Sequence, residues 1–425
     1  MAHRRRFALA LLVLLTGALA ACRPEPEPPP PDDGPVLWPN DQSRANSDRW
    51  LVEHHDEIDV VRPRILVLNF VNGDTQGQAQ DLAERVLAGL VESSRPRGYQ
   101  DVDAPAAYQP ELLPIADLRD DVMAGAARVN SAYYPREDPV EGMWGLDYQA
   151  LFSADFAARM NQLDPDDPEA GALDLCTLID RGLVHEVWIH GDGDHPDVSA
   201  AEILEHKPVY DLDGNATGAW NRCAGNGCFD DEDEIPCART VRVGWLNSTR
   251  GPGCFLESLG HGFESIGAWN PEQLPQLSRD FVPFANYALD ERYGLPVDSW
   301  YACPYDRPCL AYPSPTSVAY SLDGAAGTID DYDAVCGNVH WAPNGRMQYD
   351  LLNAAPVSTS CKHFGDGAGE KDDFTNADFE PYRELAPDCM GPFLVWWRQN
   401  WPGPHTTKVR DDGTAMKSWW PFLYY

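Results

Sequence analysis

Residues 64–71 read RILVLNFV, a near-continuous apolar run that ends at the turn sequence Asn72-Gly73-Asp74. A run that is apolar at almost every position is typical of a strand buried on both faces, as the strands of parallel sheets are. Residues 80–91, QDLAERVLAGLV, come next, and their apolar side chains recur at helical spacing. A buried strand followed by an amphipathic helix predicts the first unit of an α/β fold.

The same alternation continues along the chain. Helices are predicted at 148–160, 173–181 and about 254–267, and strands at 184–190 and 240–246. We therefore predict an α/β fold over residues 36–270, a mostly parallel sheet with flanking helices, whose carboxyl edge is expected to carry the site. Residues 271–425 are dense in Trp, Tyr, Pro and Asp and predict a loop-rich, aromatic, disulfide-containing C-terminal lobe packed on that core.

The first 35 residues resemble a bacterial lipoprotein leader. Three arginines at 4–6 precede an apolar stretch at 7–15, and the sequence LAAC ends at Cys22. The resemblance implies a signal peptide over residues 1–21, lipidation of Cys22 and a proline-rich tether over 22–35. Attached acyl chains would anchor the chain to a membrane without a spanning helix, so we expect a bacterial cell-envelope protein on the outer membrane or the cell surface.

Charge and cysteine content narrow the class of protein. The chain has 425 residues and a net charge of −35, which excludes nucleic acid as a default partner because such binding needs clustered Lys and Arg. Ten cysteines remain after Cys22, an even number in a compartment that permits disulfides. Cys303 with Cys309 and Cys223 with Cys228 are plausible local pairs. A zinc site formed by Cys223, Cys228 and Cys237 is the alternative, although the spacing is irregular.

The best candidate for chemistry is the segment 254–267, CFLESLGHGFESIG. On a helix, Glu257, His261 and Glu264 lie within about 60° of one another. Imidazole and carboxylate are ligands for a divalent metal, most simply zinc, with calcium possible. The two carboxylates lie about 10.5 Å apart along the axis, so one ion would need ligands from other segments. The alternative is a satisfied core histidine with carboxylates that do not bind metal.

Two further segments offer such ligands. Residues 190–197, HGDGDHPD, follow a predicted strand, and residues 336–344, CGNVHWAPN, contain one imidazole. A polar turn is the alternative for the first segment. The predicted metal ligands are His261, Glu264, His340 and His190, and the predicted catalytic carboxylates are Asp192, Asp194 and Glu257.

Three segments, at 173–191, 257–266 and 336–344, together resemble a family of exported bacterial proteins to which no activity is assigned. Members of that family carry the patterns DEVW..G, H.FGHR.ES and CG.VH..PN, the last followed by YD. His261, Glu264 and His340 match, and Tyr349-Asp350 follows the third segment, whereas Glu257 stands where the family has histidine. The resemblance implies the position of a site and names no reaction.

These features predict a membrane-anchored lipoprotein with a divalent-metal-dependent hydrolase site that acts on extracellular or envelope polysaccharide or protein. No G-x-S-x-G elbow and no phosphate-binding loop is found. The alternative is a non-catalytic surface lipoprotein that binds glycan or a protein partner and in which any metal is structural. The terminal sequence SWWPFLYY, residues 418–425, fits either a sugar-stacking platform or a segment docked on the core.

Overall fold

A seven-stranded mixed sheet forms the centre of the protein, and the predicted apolar runs are its middle strands. The computed structural model describes residues 34–119, 146–160, 164–167, 169, 171–191, 203–225 and 235–425. The predicted signal peptide, Cys22, Asp192 and Asp194 lie outside the described residues.

Strands and helices are interspersed along the described part of the chain. The strands are β1 (Leu37–Trp38), β2 (Val60–Val61), β3 (Arg64–Asn69), β4 (Glu111–Leu112), β5 (Ala116–Asp117), β6 (Glu186–Gly191), β7 (Ile203–Tyr210), β8 (Ala216–Gly225), β9 (Val241–Asn247), β10 (Leu310–Ser314), β11 (Ser317–Leu322), β12 (Ala325–Asp330), β13 (Val357–Thr359) and β14 (Asp372–Phe374). The helices are α1 (Arg49–Glu53), α2 (Gln76–Ser93), α3 (Tyr148–Leu151), α4 (Ala154–Met160), α5 (Leu175–Asp180), α6 (Pro252–Glu264), α7 (Pro275–Phe284), α8 (Leu289–Tyr293) and α9 (Gly391–Arg398). A π-helix, Ser265–Trp269, directly continues α6.

The sheet has the strand order β4-β3-β6-β9-β7-β8, with β5 paired to β3 beside β4. Strands β3 to β6 and β9 run parallel, and β7 and β8 form an antiparallel hairpin at one edge. The predicted α/β fold with a mostly parallel sheet is therefore confirmed, and the antiparallel hairpin makes the sheet mixed. In the turn of that hairpin, the Asp211 carboxylate accepts hydrogen bonds from the backbone N–H groups of Asp213 and Asn215.

The apolar runs are strands because both faces of the sheet are covered. Ile65 and Val67 of β3 point into a core shared with α2, α6 and α9, and Leu66 and Leu68 point into a second core shared with α3, α4 and α5. Helix α2 begins at a capping box in which Thr75 and Gln78 satisfy each other's backbone N–H groups.

Residues 35–425 form one compact unit. Its largest core joins residues of the N-terminal half to the aromatic C-terminal end, including Trp419, Trp420 and Tyr424, which are at most 2% exposed. The terminal rings therefore dock on the core, and their faces are not accessible for sugar stacking. A smaller core underlies the three-stranded sheet β10-β11-β12.

Four disulfides are present among the described residues. They join Cys176 to Cys237, Cys254 to Cys389, Cys303 to Cys309, and Cys336 to Cys361. The predicted Cys303–Cys309 pair is confirmed. The alternative zinc site that included Cys237 is wrong, because that sulfur is bonded to Cys176. Cys228 and the side chain of Cys223 lie outside what the structure describes. None of the described helices is long and apolar enough to cross a membrane.

Candidate metal centre

Helix α6 carries its functional residues away from the carboxyl edge of the sheet. The helix begins at Pro252, just after β9, and its first turn is held by Asp388, whose carboxylate accepts from Gly251 N at 2.7 Å and Gly253 N at 2.8 Å. His261 lies nine residues into the helix, which is about 13 Å along its axis. The centre therefore forms at the far end of α6, and not at the expected carboxyl edge.

A tight loop brings His340 to this helix. Gly337 has φ +67°, and a Cβ there would lie 2.0 Å from the Trp341 carbonyl oxygen, so glycine is required. The disulfide from Cys336 to Cys361 anchors the start of the loop. Val339 packs so closely against α6 that a Cβ on Gly260 would lie 2.7 Å from it. This contact explains the glycine that precedes His261 in the helix.

Four side chains meet at one point. The Nε2 atoms of His261 and His340 are 3.0 Å apart, and Glu257 Oε1 lies 3.0 Å from His340 Nε2 and 3.8 Å from His261 Nε2. The Tyr349 hydroxyl lies 2.6 Å from Glu257 Oε1 and 2.7 Å from His340 Nε2. Glu257, His261 and His340 are all buried, whereas Tyr349 is 43% exposed and forms the solvent side of the cluster.

The other nitrogen of each imidazole is held from outside the cluster. His261 Nδ1 donates to Glu264 Oε2 at 2.7 Å, and His340 Nδ1 donates to Gln348 Oε1 at 2.9 Å. The Gln348 amide is itself oriented, because its nitrogen donates to the Cys303 carbonyl at 3.4 Å. When the imidazoles are neutral, these partners keep the ring proton on Nδ1, so that both Nε2 lone pairs face the shared point.

Glu264 orients His261 and takes no place in the cluster. It is completely buried, and besides His261 its carboxylate accepts from the Tyr301 hydroxyl at 3.0 Å and from Val339 N at 3.1 Å. A carboxylate that holds the far side of a ligating imidazole is a usual companion of metal sites. From the sequence, Glu264 is predicted to be a ligand and Glu257 a catalytic carboxylate. The geometry instead places Glu257 among the converging atoms and Glu264 behind His261.

The electrostatics of the cluster suit a cation. Burial alone would lower the pKa of His261, but the hydrogen bonds and charges of Glu257 and Glu264 outweigh it and raise the pKa to about 9. Burial alone would raise the pKa of Glu257, but its hydrogen bonds to His261, His340 and Tyr349 outweigh it and lower the pKa to about 2. Without a metal, His261 therefore holds the positive charge that these carboxylates stabilise.

Three local features distinguish the cluster and its surroundings. Glu257 Oε2 is buried and has no hydrogen-bond partner among the described residues, a property it shares with Asp180 Oδ1 and both carboxylate oxygens of Glu205. Tyr349 has φ +62°, a left-handed conformation that costs a non-glycine residue energy and that is concentrated at functional sites. The π-helix that follows α6 is another feature enriched at such sites.

The residues of the cluster fit a divalent metal. Ligating nitrogens about 2.0–2.1 Å from zinc lie about 3.3 Å apart in a tetrahedral site, close to the 3.0 Å that separates the two Nε2 atoms. Among the described residues, the other group with suitable spacing is Cys254, Asp388 and Cys389. Its sulfurs form a disulfide and its carboxylate caps α6, so it offers no thiolate ligand.

The predicted ligand His190 does not reach this cluster. It is completely buried at the carboxyl edge of the sheet, where its Nδ1 donates to the Leu246 carbonyl at 2.9 Å and its Nε2 lies 3.0 Å from Asp74 Oδ2. The sheet register places it beside Asn69, as expected for parallel strands. The prediction that His190 shares an ion with His261 is wrong, because α6 carries His261 away from that edge.

Tyr349, Gln348 and Tyr301 also belong to the site, and sequence reasoning assigned them no role. Tyr349 alone had a signal in the sequence, because a Tyr-Asp pair follows the His340 segment in the family that the chain resembles.

Comparisons of the chain with family models, with curated proteins and with solved structures found no match.

Proposed function

We propose that this protein is an exported, lipid-anchored hydrolase whose centre is a divalent metal ion, zinc first, held by Glu257, His261 and His340. The convergence of the two Nε2 lone pairs and Glu257 Oε1 within 3.0–3.8 Å carries this proposal. Both Nδ1–H groups are committed to Glu264 and Gln348, so a cation that replaces the His261 Nε2 proton would find acceptors at all three converging atoms.

The chain supplies three protein ligands, which is the number typical of catalytic zinc sites. A divalent ion in such a site lowers the pKa of a bound water towards about 7. Glu257 would hold the ion through Oε1, and its Oε2, which has no other partner among the described residues, would then be the oxygen left to accept a proton from water. Tyr349 donates its O–H to Glu257 Oε1 and so holds that carboxylate on the exposed side of the cluster.

The proposed location comes from the leader sequence. The arginines, the apolar stretch and the LAAC ending support lipidation of Cys22 and a tethered position on the bacterial envelope. Four disulfides support an oxidising compartment. Polysaccharide and protein are the polymers a hydrolase at that location would meet.

The test is elemental analysis of the full chain, expressed with export to an oxidising compartment, beside three single variants. We expect about one zinc or other divalent transition metal per chain. His261→Ala and His340→Ala should lose it. His363→Ala is the matched control, because His363 lies beside Asp366, Glu370 and Asp372 but outside the cluster. That control should keep its metal.

Absence of metal from the folded parent chain after zinc loading would overturn the proposal. Metal that stays in both His261→Ala and His340→Ala would overturn it as well, because the ion would then lie elsewhere. Circular dichroism of every variant separates loss of the ion from loss of the fold.

A second candidate function is a binding protein whose metal is structural. The burial of all three ligands favours it, since structural sites are closed. X-ray absorption of the zinc-loaded chain separates the two functions. A coordination sphere with an oxygen that azide or a hydroxamate displaces indicates a catalytic site, and a sphere that these ligands leave unchanged indicates a structural one.

A further inference from the structure

Exposed aromatic rings are concentrated at the metal centre. The chain contains 14 Trp, 17 Tyr and 14 Phe, yet Trp269, Tyr305 and Tyr349 are the ones exposed among the described residues. All three lie against the two imidazoles of the cluster. We call these three rings the aromatic rim. Chance placement of surface aromatics would scatter them over the described surface, so their position points to a ligand that approaches the centre.

Trp269 is held in a fixed orientation. It ends the π-helix, is 48% exposed, and its ring lies nearly parallel to that of His261, with centroids 6.0 Å apart and planes at 22°. The Tyr301 ring packs edge-on against it at 6.3 Å. A ring that is fixed before binding loses little conformational entropy when a ligand stacks on it.

Tyr305 lies in a short loop that a disulfide closes. The disulfide between Cys303 and Cys309 closes the short loop that carries this ring, which is 63% exposed and lies 6.5 Å from the His340 ring. The Cys303 carbonyl also accepts from Gln348, which orients His340. The loop that presents Tyr305 is thus tied to the metal cluster itself.

The negative charge of the chain indicates which class of ligand could bind at the aromatic rim. The net charge of −35 and the carboxylate of Glu257 at the centre disfavour polyanions. Flat, half-exposed aromatic faces suit a ring with an apolar face and polar edges, which is the surface a pyranose presents. A neutral or amino-substituted glycan fits both observations.

The position of the second carboxylate, Glu264, indicates which type of bond the site could hydrolyse. Glycosidic hydrolysis uses two carboxyl groups that flank the bond, one of them a proton donor. Glu264 is completely buried, and its oxygens are engaged by His261, Tyr301 and Val339. Glu257 is therefore the one carboxylate at the converging point, among the described residues. A divalent ion at this point would supply an activated water, and with Glu257 Oε2 as the remaining carboxylate oxygen the site would be equipped for attack on a carbonyl carbon.

We propose that the centre removes acyl groups from a neutral glycan and that the aromatic rim holds the sugar rings beside it. In this reaction water adds its oxygen to the acyl carbon, and the bond from that carbon to the sugar nitrogen or oxygen breaks. Glu257 accepts the proton from water and returns it to the leaving nitrogen or oxygen. The products are a free amine or hydroxyl on the sugar and a carboxylic acid. This inference rests on the proposed function.

The test measures acetate release by the zinc-loaded full chain and, for the protein substrate, the appearance of new amino termini. The substrates are an N-acetylglucosamine hexamer, an O-acetylated xylo-oligosaccharide, a denatured protein and the sugar-free ester p-nitrophenyl acetate. We expect acetate from at least one glycan. In Trp269→Ala and Tyr305→Ala, the ratio of kcat/KM for glycan to kcat/KM for the ester should fall about tenfold, chiefly through KM. Trp50→Ala is the matched control, because Trp50 packs beside His54 outside the cluster, and the ratio should not change.

The outcomes separate this inference from the proposed function. Metal binding and ester hydrolysis without acetate from either glycan would overturn the inference and leave the hydrolase standing. Cleavage of the protein substrate alone would do the same and indicate a peptidase. A ratio unchanged in both rim variants would refute the role of the rim. Absence of bound metal would overturn the proposed function, and the inference would fall with it.

Discussion

Replacing Glu264 by glutamine tests whether the orientation of His261 controls the affinity of the centre. The substitution preserves the shape of the side chain and removes its charge. Glu264 accepts from His261 Nδ1, the Tyr301 hydroxyl and Val339 N, and none of its surface is exposed. An amide has one acceptor oxygen, and its NH₂ group would meet at least one of these donors.

The size of the effect follows from these contacts. Loss of the carboxylate behind a ligating histidine lowers metal affinity about 10–100-fold, which corresponds to about 1.4–2.7 kcal/mol. A buried donor left without an acceptor costs a further ~1–3 kcal/mol of folding free energy in the metal-free chain. A loss of folding free energy does not by itself lower the zinc affinity of a chain that stays folded. A fall in zinc affinity would therefore report the loss of the orienting contact.

Zinc affinity is measured by competition with a chromophoric chelator, and stability by urea unfolding with EDTA present. The matched control is Asp280→Asn, because the Asp280 carboxylate is also buried but accepts from Arg410 at 2.6 Å and lies outside the cluster. The control should lose stability and keep zinc affinity. Zinc affinity within twofold of the parent in folded Glu264→Gln, or an equal loss in both variants, would refute the orienting role.

Three further predictions concern pH, the C-terminal segment and the loop of His340. In the metal-free chain the pKa of His261 is raised from 6.5 to about 9, so its contribution to stability is complete below pH 6.5 and is lost as the pH rises through 9. Thermal melts with EDTA should show this fall, and a His261→Gln chain whose melting temperature falls equally would contradict it. Trp420→Ala should cost about 3–5 kcal/mol in urea unfolding and leave zinc affinity unchanged, because that ring is a core residue; a stable variant with weakened glycan binding would contradict the docked arrangement. Replacing Cys336 and Cys361 together by serine should cost about 3 kcal/mol and weaken zinc binding, as measured by the same two assays, and unchanged zinc affinity would show that the loop needs no covalent anchor.

The fold was readable from local patterns. The runs at 64–71, 184–190 and 240–246 predicted strands, and the observed strands begin and end within about two residues of them. They were readable because a strand covered on both faces needs apolar side chains at nearly every position. The strands β7 and β8 at the sheet edge were not predicted, because residues from 207 onward were interpreted as a loop-rich insertion and the pairing of β7 with β9 joins segments distant in sequence.

The sequence predicted the positions of the main site residues but not the roles of the two glutamates. Helical spacing alone placed Glu257, His261 and Glu264 on one face, and a second histidine was expected at 340. The roles of the two glutamates were not readable, because both are near neighbours of His261 and only the packed environment distinguishes them. Glu264 faces Tyr301 and Val339 in the interior, whereas Glu257 faces His340.

The sequence by itself determined the alternation of strands and helices and the histidine and carboxylates that share a face of α6. These are properties of periodicity and side-chain chemistry, and they are local. The tertiary structure alone decided that His340 and not His190 meets His261, that Tyr349 completes the cluster, and that three rings surround it. Those contacts join residues tens of positions apart, and their geometry is set by loop closure, disulfides and core packing, which no local pattern encodes.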